Sequence, residues 1–131
     1  MQNLKTIIQD FSTLLLQFLE NTYILCPNTI LSNNKNFVNN FISDNPEIII
    51  KFFTKNFIQY KKELNDNPTL FLSTHNFSSD IEHIDELKGF NFSQIFIFQQ
   101  IWNNLNDHNK NIIIDYMQYL FQLAEMYLNL L

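Results

Sequence analysis

The chain of 131 residues is 46% hydrophobic, 15% aromatic and 16% charged, a balance typical of one folded domain rather than of a disordered segment. Its 13 acidic residues outnumber 8 lysines, and the net charge of -5 disfavours the basic surface through which proteins usually bind nucleic acids. Cys26 is the single cysteine and Gly89 the single glycine, which excludes an intrachain disulfide, a multi-thiolate zinc site and a glycine-rich phosphate loop.

The first predicted element is an amphipathic helix that begins near Leu4 and ends near Cys26. Most of its apolar side chains recur at spacings of three and four residues, which places them on one face of a helix: Leu4, Ile8, Phe11, Leu15, Phe18 and Leu25. Pro27 disfavours helical backbone at the residue before it, so the helix is predicted to stop there. Residues 28–36 are then predicted to form a polar loop.

Two more helices are predicted before residue 65. The second helix is short and carries four apolar residues: Phe37, Val38, Phe41 and Ile42. Pro46 suits the first turn of the third helix, where a missing N–H has no cost, and that helix is predicted to run to about Leu64. The Asn-Asp-Asn-Pro stretch at 65–68 ends it. Residues 70–72 show no steady period and are predicted to be a short extended or irregular piece.

Three helices are predicted in the second half of the chain. Ser79 and Glu82 fit a capping box and Gly89 suits the left-handed residue that ends a helix, so a short helix is expected between them. An apolar fifth helix is predicted over residues 90–105. The last helix, with Asp107 as its expected N-cap, has alternating spacings of four and three residues: Ile113, Met117, Leu120, Ala124, Tyr127 and Leu131.

Further apolar residues widen the face of this last helix: Tyr116, Leu123 and Leu130. So broad an apolar surface is typical of the interior of a bundle, although a seam for self-association has the same spacing. We favour the core interpretation over the dimer seam. Together these elements predict an all-α fold, a single-domain bundle of about five to six helices over residues 1–131.

No catalytic, metal or cofactor site is predicted. His83 and Glu86 could share a divalent ion, but carboxylates this dense on a short helix are more typical of a solvated face. A nucleophile set drawn from Cys26, His75 and Asp80 has no support beyond composition, because Cys26 lacks a nearby positive charge. We therefore expect no enzymatic activity and no cofactor.

A basic face is the one electrostatic asymmetry in the sequence. Lys51, Lys55 and Lys62 lie on one side of the predicted third helix, with Lys61 beside them. Such a face could bind an acidic partner or a phosphate backbone. We favour a solvated face instead, since the whole chain is negatively charged.

The C-terminal third resembles a helix-turn-helix ending found in small uncharacterised proteins of large nucleocytoplasmic DNA viruses. In those proteins an Ile-Trp…Leu segment precedes a Lys and a helix of the Tyr-Leu-Gln-Leu type. The matching residues here are Ile101, Trp102, Leu105, Lys110, Tyr116, Tyr119 and Leu120, and the pattern is interrupted at Met117 and Gln118. The abundance of Asn, Ile and Phe and the absence of Arg agree with an AT-rich genome. The resemblance implies a helical packing unit and no catalytic residue.

The resulting hypothesis is a non-enzymatic viral accessory or virion-associated protein that acts through protein–protein contacts, with a protein partner or with another copy of itself. The expected interface residues are Tyr119, Tyr127 and Leu130 on the last helix. One alternative is a bundle with an apolar groove for a partner helix, as in apoptosis regulators. Another is nucleic-acid binding through Lys51, Lys55, Lys61 and Lys62, which the net charge disfavours.

An intracellular location is expected, in the host cytoplasm or in the virion if the protein is viral. Gln9 and Asp10 interrupt any signal-peptide core, and no apolar run approaches the ~18 residues that a membrane span needs. Asn76 and Asn91 match glycosylation acceptors, but so Asn-rich a sequence produces such matches by chance.

Overall fold

The structure is a computed structural model that describes residues 3–75 and 102–131. These residues form seven α-helices and one 3-10 turn and contain no strand, so the prediction of an all-α bundle is confirmed. In chain order the elements are α1 (Leu4–Leu25), α2 (Ile30–Asn33), α3 (Lys35–Asp44), α4 (Pro46–Asn56), the 3-10 turn (Ile58–Tyr60), α5 (Lys61–Asp66), α6 (Pro68–Thr74) and α7 (Asp107–Asn129).

Asparagine side chains cap the two long helices. Asn3 accepts a hydrogen bond from the Thr6 N–H at 2.9 Å and starts α1, which ends before Cys26 as predicted from Pro27. Asn106 does the same for α7 by accepting from the Asn109 N–H at 2.9 Å. The prediction of Asp107 as the N-cap is therefore wrong by one residue, because the preceding asparagine has the extended backbone that a cap requires.

The predicted loop at residues 28–36 is instead helical over most of its length. Thr29 and Ser32 form a capping box: each side-chain oxygen accepts from the other residue's backbone N–H, both at 3.1 Å. This box starts α2, which buries Leu31, and α3 follows after Asn34. A helix of four residues has too few positions to show a hydrophobic period, so the sequence pattern did not reveal it.

The predicted third helix is divided, and the predicted irregular piece after it is a helix. The α-helical backbone stops at Asn56, a 3-10 turn follows, and α5 begins at Lys61. Residues 70–72 lie in α6, whose N-cap Asn67 accepts from the Leu70 N–H at 3.3 Å. Proline follows the cap of α6, as it follows the cap of α4, and buried Leu72 stabilises the short helix.

Several elements predicted in the second half of the chain lie outside the described residues. The predicted helix between Ser79 and Gly89 lies outside the described residues, as do residues 90–101 of the predicted fifth helix and both glycosylation motifs. Trp102 and Leu105, from the end of that fifth helix, are described, and both are buried in the core.

The core lies between α1, α4 and α7. The two long helices run antiparallel. Phe18 in the second half of α1 meets Tyr116 in the first half of α7, with ring centroids 5.6 Å apart, while Asp10 in the first half of α1 and Met126 in the second half of α7 lie on one surface. Phe53 of α4 packs between α1 and α7, and its ring centroid lies 5.1 Å from the ring centroids of both Phe11 and Phe121. Aromatic pairs at these edge-to-face angles add to the stabilisation from burial. Among the described helices, none is both long and apolar enough to cross a lipid bilayer.

Candidate protein-binding surface on the last helix

The last helix carries a stripe of apolar residues that the protein buries in its own interior. This core stripe is the pattern of alternating four- and three-residue spacings predicted from the sequence. Its buried members are Ile113, Met117, Leu120, Ala124 and Tyr127. Only its last residue, Leu131 beyond the helix end, is exposed. The core interpretation of this stripe is therefore confirmed.

A second apolar stripe runs along α7 one residue earlier, with the same alternating spacings. We call it the outer stripe, and its members are Ile112, Tyr116, Tyr119, Leu123, Met126 and Leu130. Tyr119 is 59% exposed, Leu130 46% and Met126 38%, while the other three are half-buried. The outer stripe is thus a continuous line of apolar side chains at the edge of the folded core.

A groove lies between the outer stripe and α1. It encloses about 320 Å³, and its apolar surface comes from both helices: Leu14, Tyr119, Leu123 and Met126. Its polar lining consists of Asp10, Thr13, Gln17 and Gln122. A lining that combines apolar and polar side chains from two helices is common in protein-binding sites. Within the part of the chain that the structure describes, Asp10 is the one charged residue of the lining, and it makes this side of the groove weakly acidic.

Tyr116 holds one end of the groove in place. Its hydroxyl oxygen accepts a hydrogen bond from the Asn21 side-chain amide at 2.7 Å, and the same amide group donates to the Gln17 carbonyl at 3.1 Å. Phe18 packs edge-to-face against the Tyr116 ring. These contacts fix α7 against α1, so the groove is formed before any partner arrives.

The structure separates the three predicted interface residues. Tyr119 and Leu130 belong to the outer stripe and are exposed. Tyr127 is only 2% exposed, so its assignment to a protein interface is wrong. The physical reason is its register: Tyr127 follows Leu120 by seven residues and so shares the core face.

The remaining members of the surface were not predicted as interface residues. Leu123 and Met126 share the spacing of Tyr119 and Leu130, and this spacing is the signal that could have identified them. No such signal exists for Asp10 and Gln17, because they reach the groove only through the packing of α1 against α7.

The four lysines of the predicted basic face do not share one helix. Lys51 and Lys55 lie on α4, while Lys61 and Lys62 lie on α5 beyond the 3-10 turn. Lys51 pairs with Glu47 at 3.1 Å, and the hydrogen bond to that carboxylate raises the pKa of Lys51. Lys61 forms an ion pair with Glu125 of α7. Lys51 and Lys61 therefore have acidic partners among the described residues.

The residues considered for catalysis or metal binding do not form a site among the described residues. Burial raises the pKa of the Cys26 thiol, which disfavours the reactive thiolate at neutral pH. His75 stacks on Phe71 with ring centroids 4.9 Å apart. Within residues 3–75 and 102–131, no three His, Cys, Asp or Glu side chains are grouped as a metal site. Asp80 and the His83–Glu86 pair lie outside the described residues.

A small cavity lies on the other side of α7, within the core. Its volume is about 80 Å³. All of its lining residues are apolar: Leu15, Phe18, Leu19, Leu31, Val38, Ile42, Ile49, Phe52, Phe53, Phe57, Met117, Leu120 and Phe121. A cavity without polar groups has no partners for water, so we interpret it as a packing defect of the core.

No family model, no curated protein and no solved structure matches this chain.

Proposed function

We propose that this protein is a non-enzymatic binding protein that acts through protein–protein contacts made by the outer stripe of α7. The observation that carries the proposal is the exposure of Tyr119, Met126 and Leu130 on a helix whose other apolar stripe is buried. A line of exposed apolar side chains beside polar groups is typical of an interaction site. Tyrosine and methionine are also enriched at the centres of such sites.

The rigidity of the surface supports the same proposal. The outer stripe extends from Ile112 to Leu130, about 27 Å at the helical rise of 1.5 Å per residue. It lies on a continuous helix that the Tyr116–Asn21 hydrogen bond fastens to α1. A partner that binds such a preformed surface loses less conformational entropy in the protein than one that must order a loop.

We also propose a viral accessory or virion-associated role, because residues 101–120 resemble small proteins of large nucleocytoplasmic DNA viruses. Its support is the Ile-Trp…Leu segment followed by Lys110 and the tyrosine-rich start of the last helix. Detection of the protein by mass spectrometry in virus particles or infected cells would support this extension. Its presence only in uninfected organisms would contradict it.

A selection from a random peptide library tests the binding function. The library is selected on the wild-type protein alone, and binding of the selected peptides is then measured on the double variant Tyr119→Lys/Met126→Lys. Both positions are exposed on a helix, so we expect the variant to keep its fold, which thermal unfolding checks. We expect peptides that bind the wild type and not the variant.

The variant Leu70→Lys provides the matched control, because Leu70 is an equally exposed apolar residue on α6. Selected peptides should still bind this control. Peptides that bind the wild type and the double variant equally would contradict a role for the outer stripe.

A further inference from the structure

We infer that the groove between α1 and α7 binds a basic amphipathic α-helix of a partner protein. The apolar face of that helix would cover the outer stripe, and a Lys or Arg side chain would reach Asp10. This inference rests on the proposed function and names the class of partner for the same surface.

The shape of the surface favours a helix as the bound element. The groove is bounded by two antiparallel helices, and a third helix can place its ridge of side chains between them. An extended peptide that binds by strand addition needs an unpaired sheet edge, and the described residues contain no strand. A partner helix of about 18 residues has the length of the outer stripe.

The charges of the surface favour a basic partner. Asp10 is half-buried in the groove, where a bound cation would be partly shielded from water and held more strongly than on an open surface. Asp115 precedes Tyr119 by four residues and therefore lies on the same outward side of α7. Among residues 3–75 and 102–131, no lysine lines the groove. A cationic partner thus meets opposite charge from this part of the chain.

The same charges disfavour a second copy of this chain as the partner. Another copy would present its own Asp10 and Asp115 and no lysine from the described lining of its groove, and it carries a net charge of -5. Like charges brought together across an interface are unfavourable. These two acidic residues therefore disfavour self-association and favour a basic helix.

Two synthetic peptides of about 18 residues test this inference. Both carry leucine at alternating spacings of four and three residues, and the remaining positions are mainly lysine in one and mainly glutamate in the other. Fluorescence anisotropy of the labelled peptides measures binding to the full chain. We expect the lysine peptide to bind more than tenfold more tightly than the glutamate peptide.

Variants locate the bound peptide. We expect Asp10→Asn to weaken the lysine peptide about fivefold to tenfold, and Met126→Lys to weaken it more. Asp44→Asn removes the same charge from the exposed end of α3 and should change the affinity less than twofold. In NMR spectra of the methionine methyl groups, Met126 should shift on binding while Met117 in the core should not.

Several results would overturn the inference. Equal binding of the two peptides, or equal effects of Asp10→Asn and Asp44→Asn, would remove the electrostatic basis. Nuclear Overhauser contacts from the Met126 methyl to residues outside α1 and α7 in the free chain would show that the groove is already covered. A dimer by light scattering that Tyr119→Lys dissociates would identify a second copy as the partner.

These results separate the inference from the proposed function. A Tyr119-dependent dimer, or library peptides that bind the outer stripe but are acidic, would leave protein binding in place and overturn the basic helix. If neither synthetic peptide binds, the library yields no binder and the protein does not self-associate, both the inference and the proposed function are overturned.

Discussion

The two apolar stripes of α7 have the same spacing and similar side chains, yet one forms the core and the other lies at the surface. They are offset by one residue, which is about 100° around the helix axis. Among the described helices, the core stripe faces α4 and α1, whereas the outer stripe has the edge of α1 beside it. The spacing of apolar residues therefore identifies the helix, while the neighbouring helices decide which stripe becomes the core.

The largest expected contrast comes from truncating one residue of each stripe. Leu120→Ala should lower the free energy of unfolding by about 2–5 kcal/mol, because it leaves a cavity at a position 1% exposed. Tyr119→Ala should change it by less than about 0.5 kcal/mol. Urea denaturation of both variants measures the difference. Similar losses for the two variants would refute the division into core and outer stripes.

Adding volume tests how closely the core side of α7 is packed. Ala124 is fully buried and does not line the cavity, so Ala124→Leu should lower the free energy of unfolding by about 1–3 kcal/mol through overpacking. Val38 lines the cavity, so Val38→Ile should raise the free energy of unfolding by about 0.5–1 kcal/mol. Thermal unfolding measures both. Destabilisation by Val38→Ile would show that the cavity is not available for an added methyl group.

Removing a hydroxyl distinguishes two tyrosines within the outer stripe. Tyr116→Phe should lower the free energy of unfolding by about 0.5–1.5 kcal/mol, because the half-buried Asn21 amide loses an acceptor. Exposed Tyr119 is the matched control, and Tyr119→Phe should have almost no effect. Equal effects in chemical denaturation would mean that the Tyr116–Asn21 hydrogen bond does not fasten α7 to α1.

Helix α1 also has a buried residue next to an exposed one: Tyr23 is buried and Ile24 is 70% exposed. The ionisation of Tyr23 is expected to have the smallest effect on stability at neutral pH. Burial, with a smaller contribution from Glu20, raises the pKa of Tyr23 from 10.0 to about 12. The folded state therefore favours the neutral phenol. Stability should be unaffected by this group below pH 10.0 and should fall as pH rises towards about 12.

Tyr23→Phe checks this pH dependence. Urea denaturation across the alkaline range should show a smaller loss of stability in the variant than in the wild type. At neutral pH the variant also loses the hydrogen bond that the Tyr23 hydroxyl donates to Asn39 at 3.0 Å, so the slopes against pH are compared rather than the absolute values. Parallel slopes would contradict the raised pKa.

The ends of the long helices could be predicted because the signals are local. Pro27 ends α1 and an asparagine–aspartate pair starts α7, and both act on residues within one turn. The short helices α2 and α6 could not be predicted by period. Each is shorter than two helical turns, so its own hydrogen bonds stabilise it little. Helix α2 depends on the burial of Leu31 against the rest of the bundle, and α6 on the burial of Leu72.

The sequence by itself determined the helical class and the spacing of both stripes of α7, because a hydrophobic period and a cap are properties of neighbouring residues. The seven-residue register already placed Tyr127 on the favoured core stripe, and the tertiary structure decided that Tyr119 lines a groove. Asp10 and Met126 are far apart in sequence, and the antiparallel packing of α1 on α7 brings them to one surface. That packing depends on which faces all the helices bury together, and no single segment contains this information.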